Sequence, residues 1–445
     1  MLRIHREHPD HGQYTQVDSA SGRLGDITES DYLAALPKDC TESTKGIQAI
    51  TGDEATIFTG ETPATHTRFP RRIYFQITRN CNLACDYCFI KAGAGLAHVP
   101  VSAAMEMARF LARHGLIEVR LTGGEPTTHP HFFDILHQFR DEGVYVSVAT
   151  NGLMSRRTLE RIAEIDHLWV ICSIDGDRDT HNRYRPGTFD KVVANLRYLK
   201  QSNSSIRIRL TTVLTRHNKG QMFELAGICK SLDAESITVI PLRPQVRSAG
   251  MVGDMVTAAE FKTVIEDLVA AKHRLGIQFT TTIETEHAGD VLPDPVFRKR
   301  WACAAGREGA NLDYDAATGR FLVYGCAYSP AVDSTVPDKI RAPFLAGEFA
   351  LDNPVGFLDI WRDDAAWTIF RDLSLKWDAC HDCNWYLSHR CVGSCPIQNL
   401  DYSKINAEDN VLAQLRHRIS RTSEWYCYRA IMSADRSNPV GSRGG

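Results

Sequence analysis

From residue 70 onward the chain switches between two hydrophobic periods. Arg72-Ile73-Tyr74-Phe75-Gln76-Ile77-Thr78 alternates apolar and polar positions and is rich in β-formers, which predicts a strand. Further strands are predicted near 117–122, 144–149, 168–173, 206–213 and 236–241. Helical patterns lie between them, near 102–114, 131–141, 155–165, 189–202 and 222–232. In the fourth of these, Val192, Val193, Leu196 and Leu199 recur at helical spacing. A last helix is predicted near 258–274, with Phe261, Val264, Ile265 and Leu268 on one face. Strand–helix alternation of this kind builds βαβ units and a parallel sheet, so the fold class is α/β. Six strands are too few to close an eight-stranded barrel.

The flanks read differently. Residues 1–69 are polar and irregular, with one or two helical turns at Asp31-Tyr32-Leu33-Ala34-Ala35-Leu36. Residues 291–432 abandon the alternation, and 433–445 read as a disordered tail. The expected organisation is therefore an N-terminal segment (1–69), a βα domain (70–290), a cysteine-rich domain (291–432) and the tail. The 445-residue length fits two or three domains.

Apolar and charged contents of 43% and 24% are those of an ordinary globular chain. A net charge of −3 argues against a sequence-independent grip on nucleic acid, which needs a concentrated basic surface. No apolar run approaches the length of a membrane span. The start, Met1-Leu2-Arg3-Ile4-His5, lacks the apolar core of a signal peptide. The expectation is a cytoplasmic protein, where thiols stay reduced and patterned cysteines point to metal.

Of the 13 cysteines, Cys81, Cys85 and Cys88 sit in one short loop at the end of the first strand. Thiolates at that spacing can take three corners of a [4Fe–4S] cube and leave one iron for another ligand. Zinc is the competing reading. A structural zinc wants four closed ligands, and no fourth Cys or His lies nearby. Seven more cysteines fall in the last third: Cys303, Cys326, Cys380, Cys383, Cys391, Cys395 and Cys427. They exceed the needs of one zinc site. Cys172 and Cys229 read as small buried hydrophobes. Other motifs end the later strands: Gly123-Gly124-Glu125-Pro126, Ala149-Thr150-Asn151-Gly152, Cys172-Ser173-Ile174-Asp175-Gly176 and Ile240-Pro241-Leu242-Arg243. Adjacent glycines allow a close backbone approach.

Together these motifs resemble the radical S-adenosylmethionine (SAM) enzymes, and the C-terminal cysteines resemble their SPASM extension. The resemblance implies a partial, TIM-like barrel of six β/α units with its site at the C-terminal strand ends, followed by an iron–sulfur SPASM domain. It implies that SAM chelates the open iron, and that one electron cleaves its sulfonium to a 5′-deoxyadenosyl radical that abstracts a substrate hydrogen. Tyr87 is the aromatic residue such enzymes place before the third cysteine. Gly123, Gly124 and Glu125 would bind the SAM amino group, with Asn151 beside them at the end of the third strand. Ser173 would contact SAM, and Arg185 would pair with its carboxylate; the alternative for Arg185 is a solvated surface arginine. Leu242 would press on the adenine.

In the SPASM pattern, Cys303, Cys326 and Cys395 would hold the nearer auxiliary cluster, and Cys380, Cys383, Cys391 and Cys427 the farther one. Two spacings exceed the usual pattern. Gly319 precedes Cys326 by seven positions, and Cys391 lies eight past Cys383. Sulfatase-maturing members carry an acidic base directly after the second of these cysteines. Ala327 stands there instead, so that activity is not supported. The implied task is oxidative modification of a ribosomally made peptide, such as a cross-link or thioether. The alternative is dehydrogenation or epimerisation of a small molecule such as a sugar or aminocyclitol. A flavodoxin or ferredoxin would serve as reductant. Peptide-modifying relatives can hold a leader-binding winged helix at the N-terminus, for which residues 1–69 look short and polar. His5, His8 and His11 read as a solvated, flexible start, and Asp313 and Asp315 as part of a turn before Gly319.

Overall fold

The computed structural model describes residues 2–8, 13–18, 23–35, 48–51, 55–59, 65–90, 92–243, 246–281, 303–329, 331, 336–372, 380, 382–383, 397 and 405–415. The central feature is a ten-stranded sheet. Its parallel core starts with β6 (Arg72–Thr78), β7 (Glu118–Gly123), β8 (Tyr145–Thr150), β9 (Trp169–Ser173), β10 (Arg207–Leu214) and β11 (Ser236–Pro241). These are the six predicted strands. Between them run α2 (Val101–Arg113), α3 (Phe132–Asp141), α4 (Arg156–Ala163), α5 (Arg178–Tyr184), α6 (Phe189–Ser202) and α7 (Met222–Ser231), and α8 (Ala258–Leu275) follows. α5 was not predicted. It is short and polar, and an Asp177 cap that accepts from the Thr180 amide holds its start.

The helices lie where apolar periodicity demands. Ile73, Phe75 and Ile77 are fully buried, and Phe75 meets Phe139 of α3 edge-on, so this face of β6 is the helix side. The opposite face carries charge. Arg72 pairs with Glu118, which also accepts from Ser147 at 2.5 Å and from Arg120 at 3.1 Å. That interior ion network satisfies a carboxylate with no solvent exposure. α8 is bounded by a capping box of Thr257 and Glu260 and by Gly276 at φ 73°.

The sheet extends beyond six strands. β12 (Gln278–Thr281) adds parallel to β11. At the other edge β13 (Gly309–Asp315) runs parallel to β6, then β14 (Arg320–Tyr324) and β15 (Leu345–Ala350) continue antiparallel. These strands are short, and Gly309, Ala310 and Asn311 carry no alternating signal, so the pattern did not reveal them. The boundary expected at residue 290 falls outside the described residues. Beyond β14 lie α9 (Asp338–Arg341), α10 (Val355–Arg362) and α11 (Thr368–Arg371). Here a second core forms, with Tyr324, Ile340, Phe344, Ile369, Ile397 and Leu415 at its centre.

The described residues of 1–69 are mostly strand rather than irregular. β1 (Leu2–His8), β2 (Gln13–Asp18), β3 (Arg23–Ile27), β4 (Gln48–Thr51) and β5 (Ala55–Thr59) form a sheet ordered β3-β2-β1-β5-β4, with α1 (Glu29–Ala35) after β3. Polar residues disguise these strands, because backbone ladders form whatever the side chains. His5 and His8 belong to β1 rather than to a flexible start, and His11 lies outside the described residues. The sheet docks on the end of the main sheet where β7, β8 and β9 begin. Val17 packs with Ile117, Tyr145 and Trp169. Arg3 donates to the Ala112 carbonyl at 2.6 Å and to that of Leu116 at 2.7 Å. The first of these lies in the last turn of α2 and also accepts from the Gly115 amide at 3.1 Å. This end is opposite the one where the strand-end motifs lie.

Candidate functional site

The cysteine loop leaves the C-terminal end of β6. Two glycines let it lie flat on the end of β7. A Cβ on Gly123, at φ 148°, would sit 2.2 Å from the Thr78 carbonyl oxygen, and one on Gly124 would sit 2.3 Å from that of Asn80. The closeness is used: Gly124 N–H donates to Thr78 at 2.8 Å and Glu125 N–H to Asn80 at 2.9 Å. The glycines thus serve the approach of backbone to the cysteine loop itself. Glu125 is fully buried and accepts from the Asn151 amide at 2.7 Å, the Thr150 hydroxyl at 2.9 Å and the Thr127 hydroxyl at 2.7 Å. Burial raises its pKa, and these donors oppose the rise. It ties the ends of β7 and β8 together. Gly152 turns at φ 78° against Cys172, which is wholly buried as expected.

Asn151 then reaches the cysteines. Its Nδ2 lies 2.8 Å from Asn82 Oδ1 and 3.8 Å from Cys81 Sγ, and the Leu83 amide points at the same sulfur from 3.4 Å. Two N–H donors on one sulfur are what a thiolate wants. Burial pushes the Cys81 thiol up to about 11 and raises that of Cys85. A bare thiolate is therefore disfavoured there, and iron would supply the missing positive charge. Cys81, Cys85 and Cys88 lie within electrostatic reach of one another. Among the described residues no three His, Cys, Asp or Glu side chains gather as a site for a single metal ion. A cubane puts each sulfur on its own iron, so its ligands stand farther apart. The donor set and the N–H groups fit such a cluster.

Two arginines brace the loop. Arg247, past β11, donates to the carbonyls of Cys85 at 3.0 Å and Ala92 at 2.6 Å. Arg79 donates to Ile90 at 3.0 Å and forms an ion pair with Asp313 of β13. Asp313 is thus a buried strand residue and not part of the turn, because its carboxylate is needed by Arg79; burial raises its pKa. Asp315 does hold the turn, accepting from Ala317 and Thr318. No local pattern marks Arg247 or Asp313, since each contact crosses more than 150 positions.

Tyr87, Arg185 and the Ser173 motif converge on Asp175. The Tyr87 hydroxyl donates to Asp175, and Arg185 Nε lies 2.9 Å from the same carboxylate. Arg185 is 8% exposed, which excludes the solvated-surface alternative. Ser173 Oγ sits 3.4 Å from Thr211 Oγ1. Leu242 is buried where β10 and β11 end, its amide donating to the Leu214 carbonyl at 2.9 Å. The structure therefore brings together Cys81, Cys85, Cys88, Tyr87, Gly123, Gly124, Glu125, Asn151, Ser173, Arg185 and Leu242 at one end of the sheet. Asp175 belongs to the motif that ends β9, where an acid directly before a glycine is the local signal of its role.

Of the C-terminal cysteines, Cys303, Cys326, Cys380 and Cys383 are described, and Cys391, Cys395 and Cys427 lie outside the described residues. Cys383 N–H donates to the Cys380 carbonyl at 3.1 Å. Tyr328, two residues past Cys326, packs on Phe89 in a tilted pair with ring centroids 4.4 Å apart and lies under Arg243. The cysteine-rich segment thus touches the residue after Cys88.

Residues 75–226 match the Radical SAM superfamily. The chain is 26% identical over 332 residues to mycofactocin maturase MftC of Mycobacterium tuberculosis, covering 73% of this chain and 78% of that protein. It is 29% identical over 324 residues to the AdoMet-dependent heme synthase of Methanosarcina barkeri, covering 69% and 86%. In fold it resembles SuiB of Streptococcus suis bound to precursor peptide SuiA, at TM-score 0.61 and 15% identity over 81% of this chain and 76% of SuiB. It also resembles anSMEcpe with bound AdoMet and Cp18Cys peptide, at TM-score 0.56 and 20% identity over 79% and 96%.

Proposed function

The chain is a radical SAM enzyme, and from this we propose that it oxidatively modifies a ribosomally made peptide by a cross-link, a thioether or a similar C–H functionalisation. The observation that carries the reading is its similarity to mycofactocin maturase MftC over 73% of its length, well past the matched domain. A [4Fe–4S] cluster with SAM on its open iron supplies a 5′-deoxyadenosyl radical when bound. The chain's own residues do the rest. Cys81, Cys85 and Cys88 hold three corners. Asn151 and the Leu83 amide donate to Cys81, and Arg247 and Arg79 fix the loop carbonyls. Arg185 takes the SAM carboxylate, and Ser173 and Leu242 line the same strand ends. Cys303, Cys326 and Cys395 would serve a nearer auxiliary cluster, and Cys380, Cys383, Cys391 and Cys427 a farther one. Held there, such clusters would supply an electron acceptor near the site, which favours a net oxidation.

A second reading, a small-molecule substrate, draws support from the heme synthase relative and would make that substrate an iron tetrapyrrole. Anaerobic reconstitution, iron counting and a SAM cleavage assay test the scheme. About twelve irons per chain are expected for three cubane clusters; about four would sink the auxiliary pair. Cys85→Ala should abolish SAM cleavage and leave the remaining iron in place. Loss of two hydrogens from a precursor peptide supports the first reading, and turnover of a tetrapyrrole alone the second.

A further inference from the structure

We infer that Asp175 is a positioning residue that aims Arg185 at the SAM carboxylate and holds Tyr87 in the same grip. The inference rests on the reading of the cysteine loop and Arg185 as the SAM site. Asp175 has no solvent exposure, and each of its polar groups is engaged. Its amide donates to His181 Nδ1 at 3.3 Å, and its carbonyl accepts from Asn218 Nδ2 at 2.9 Å. One carboxylate oxygen accepts from the Val213 amide at 3.0 Å. The other accepts from Tyr87, inside the cysteine loop, and from Arg185 Nε at 2.9 Å. A single side chain thus fixes the cysteine loop, the end of β10 and the residue that ends α5.

The guanidinium is held by one edge. Arg185 donates from Nε to Asp175 and, at 2.8 Å, to the Tyr87 hydroxyl, and its Nη groups make no hydrogen bond to a described residue. The group is planar, so fixing Nε fixes the direction of the Nη edge. That edge can take a carboxylate in the bidentate way guanidinium favours. Cys85 lies within electrostatic reach of both Arg185 and Asp175. The aimed cation therefore stands beside the loop on which the sulfonium cofactor would sit.

Two roles for Asp175 predict opposite signs. An acid that merely neutralises Arg185 repels an incoming carboxylate, so removing its charge tightens SAM. An acid that orients Arg185 loosens SAM when removed. Orientation outweighs repulsion here, because the Tyr87 hydroxyl and the Val213 amide already disperse the Asp175 charge. The test uses the full chain, reconstituted anaerobically, reduced and titrated with SAM while the electron paramagnetic resonance spectrum of the cluster is followed. Asp175→Asn should keep wild-type iron and bind SAM about tenfold to a hundredfold more weakly, the range for a lost charged hydrogen bond. Unchanged or tighter SAM at wild-type iron content would overturn the inference. If Asp175→Asn loses iron, Tyr87→Phe decides. It removes one donor to Asp175 and should weaken SAM in the same direction by a smaller factor; unaltered affinity overturns the inference. A wild-type cluster whose spectrum ignores SAM would instead bring down the site assignment beneath it.

Discussion

Gly124 shows how one missing carbon shapes this site. Its Cα faces the Asn80 carbonyl so closely that a methyl group has nowhere to go, and the atoms it would strike are backbone. Gly124→Ala should destabilise the fold by about 1–3 kcal/mol, as overpacking does. It should also lower iron uptake, because the displaced segment is the cysteine loop. Thermal melting of the apo chain and iron per chain after reconstitution check both. Arg247 acts from farther away. Its two donors hold one carbonyl inside the loop, at Cys85, and one just past it, at Ala92. Arg247→Met keeps the stem and loses the donors. The expected result is faster iron loss to a chelator, with little change in the melting of the main core.

Among the elements, the N-terminal sheet departs most from expectation. Its contacts lie where β7, β8 and β9 begin, so it seals the closed end and leaves the strand-end motifs open. Arg3 is the pin. Burial lowers its pKa to about 9, yet its guanidinium satisfies carbonyls of α2 and of the turn after it. Arg3→Ala takes its donor from the Leu116 carbonyl, leaves the Ala112 carbonyl with the Gly115 amide alone, and should cost about 2 kcal/mol. Limited proteolysis should then release the first 60 or so residues early, while SAM cleavage by the remaining chain persists. The β13–β14 hairpin is the complementary case. It joins β6 on the other side and lends Asp313 to Arg79, so the cysteine-rich end is bound to the cysteine loop by a partly buried ion pair.

Across the molecule, two buried histidines set an acid limit. Burial lowers both His66 and His181 from 6.5 to about 4. His181 accepts the Asp175 amide at Nδ1, which requires the neutral ring, and the proton on Nε2 then faces Thr188. The folded state binds fewer protons than the unfolded one between these values. Stability from each histidine is therefore complete above pH 6.5 and is lost as pH falls toward 4. The loss is on the order of 2–3 kcal/mol per histidine. Urea titrations of the apo chain at pH 7, 5.5 and 4.5 should show the fall, and His66→Asn should flatten part of it. No helix among the described residues is long and apolar enough to cross a membrane.

Periodicity and spacing alone settled the six strands from β6 to β11, six of the helices, and the clustering of Cys81, Cys85 and Cys88. Each depends on residues close in sequence: an alternation, a 3.6-residue repeat, a loop of eight positions. The strand-end motifs were legible for the same reason, because a parallel sheet brings every C-terminal strand end to one side. Only the tertiary structure decided that Asp175 joins Tyr87 to Arg185, that Arg247 and Arg79 brace the loop, and that a polar N-terminal sheet closes the far end. These contacts join residues 10 to 234 positions apart. Their partners are ordinary charged and polar residues with no local pattern, and their meaning appears only when burial leaves each donor one acceptor within reach.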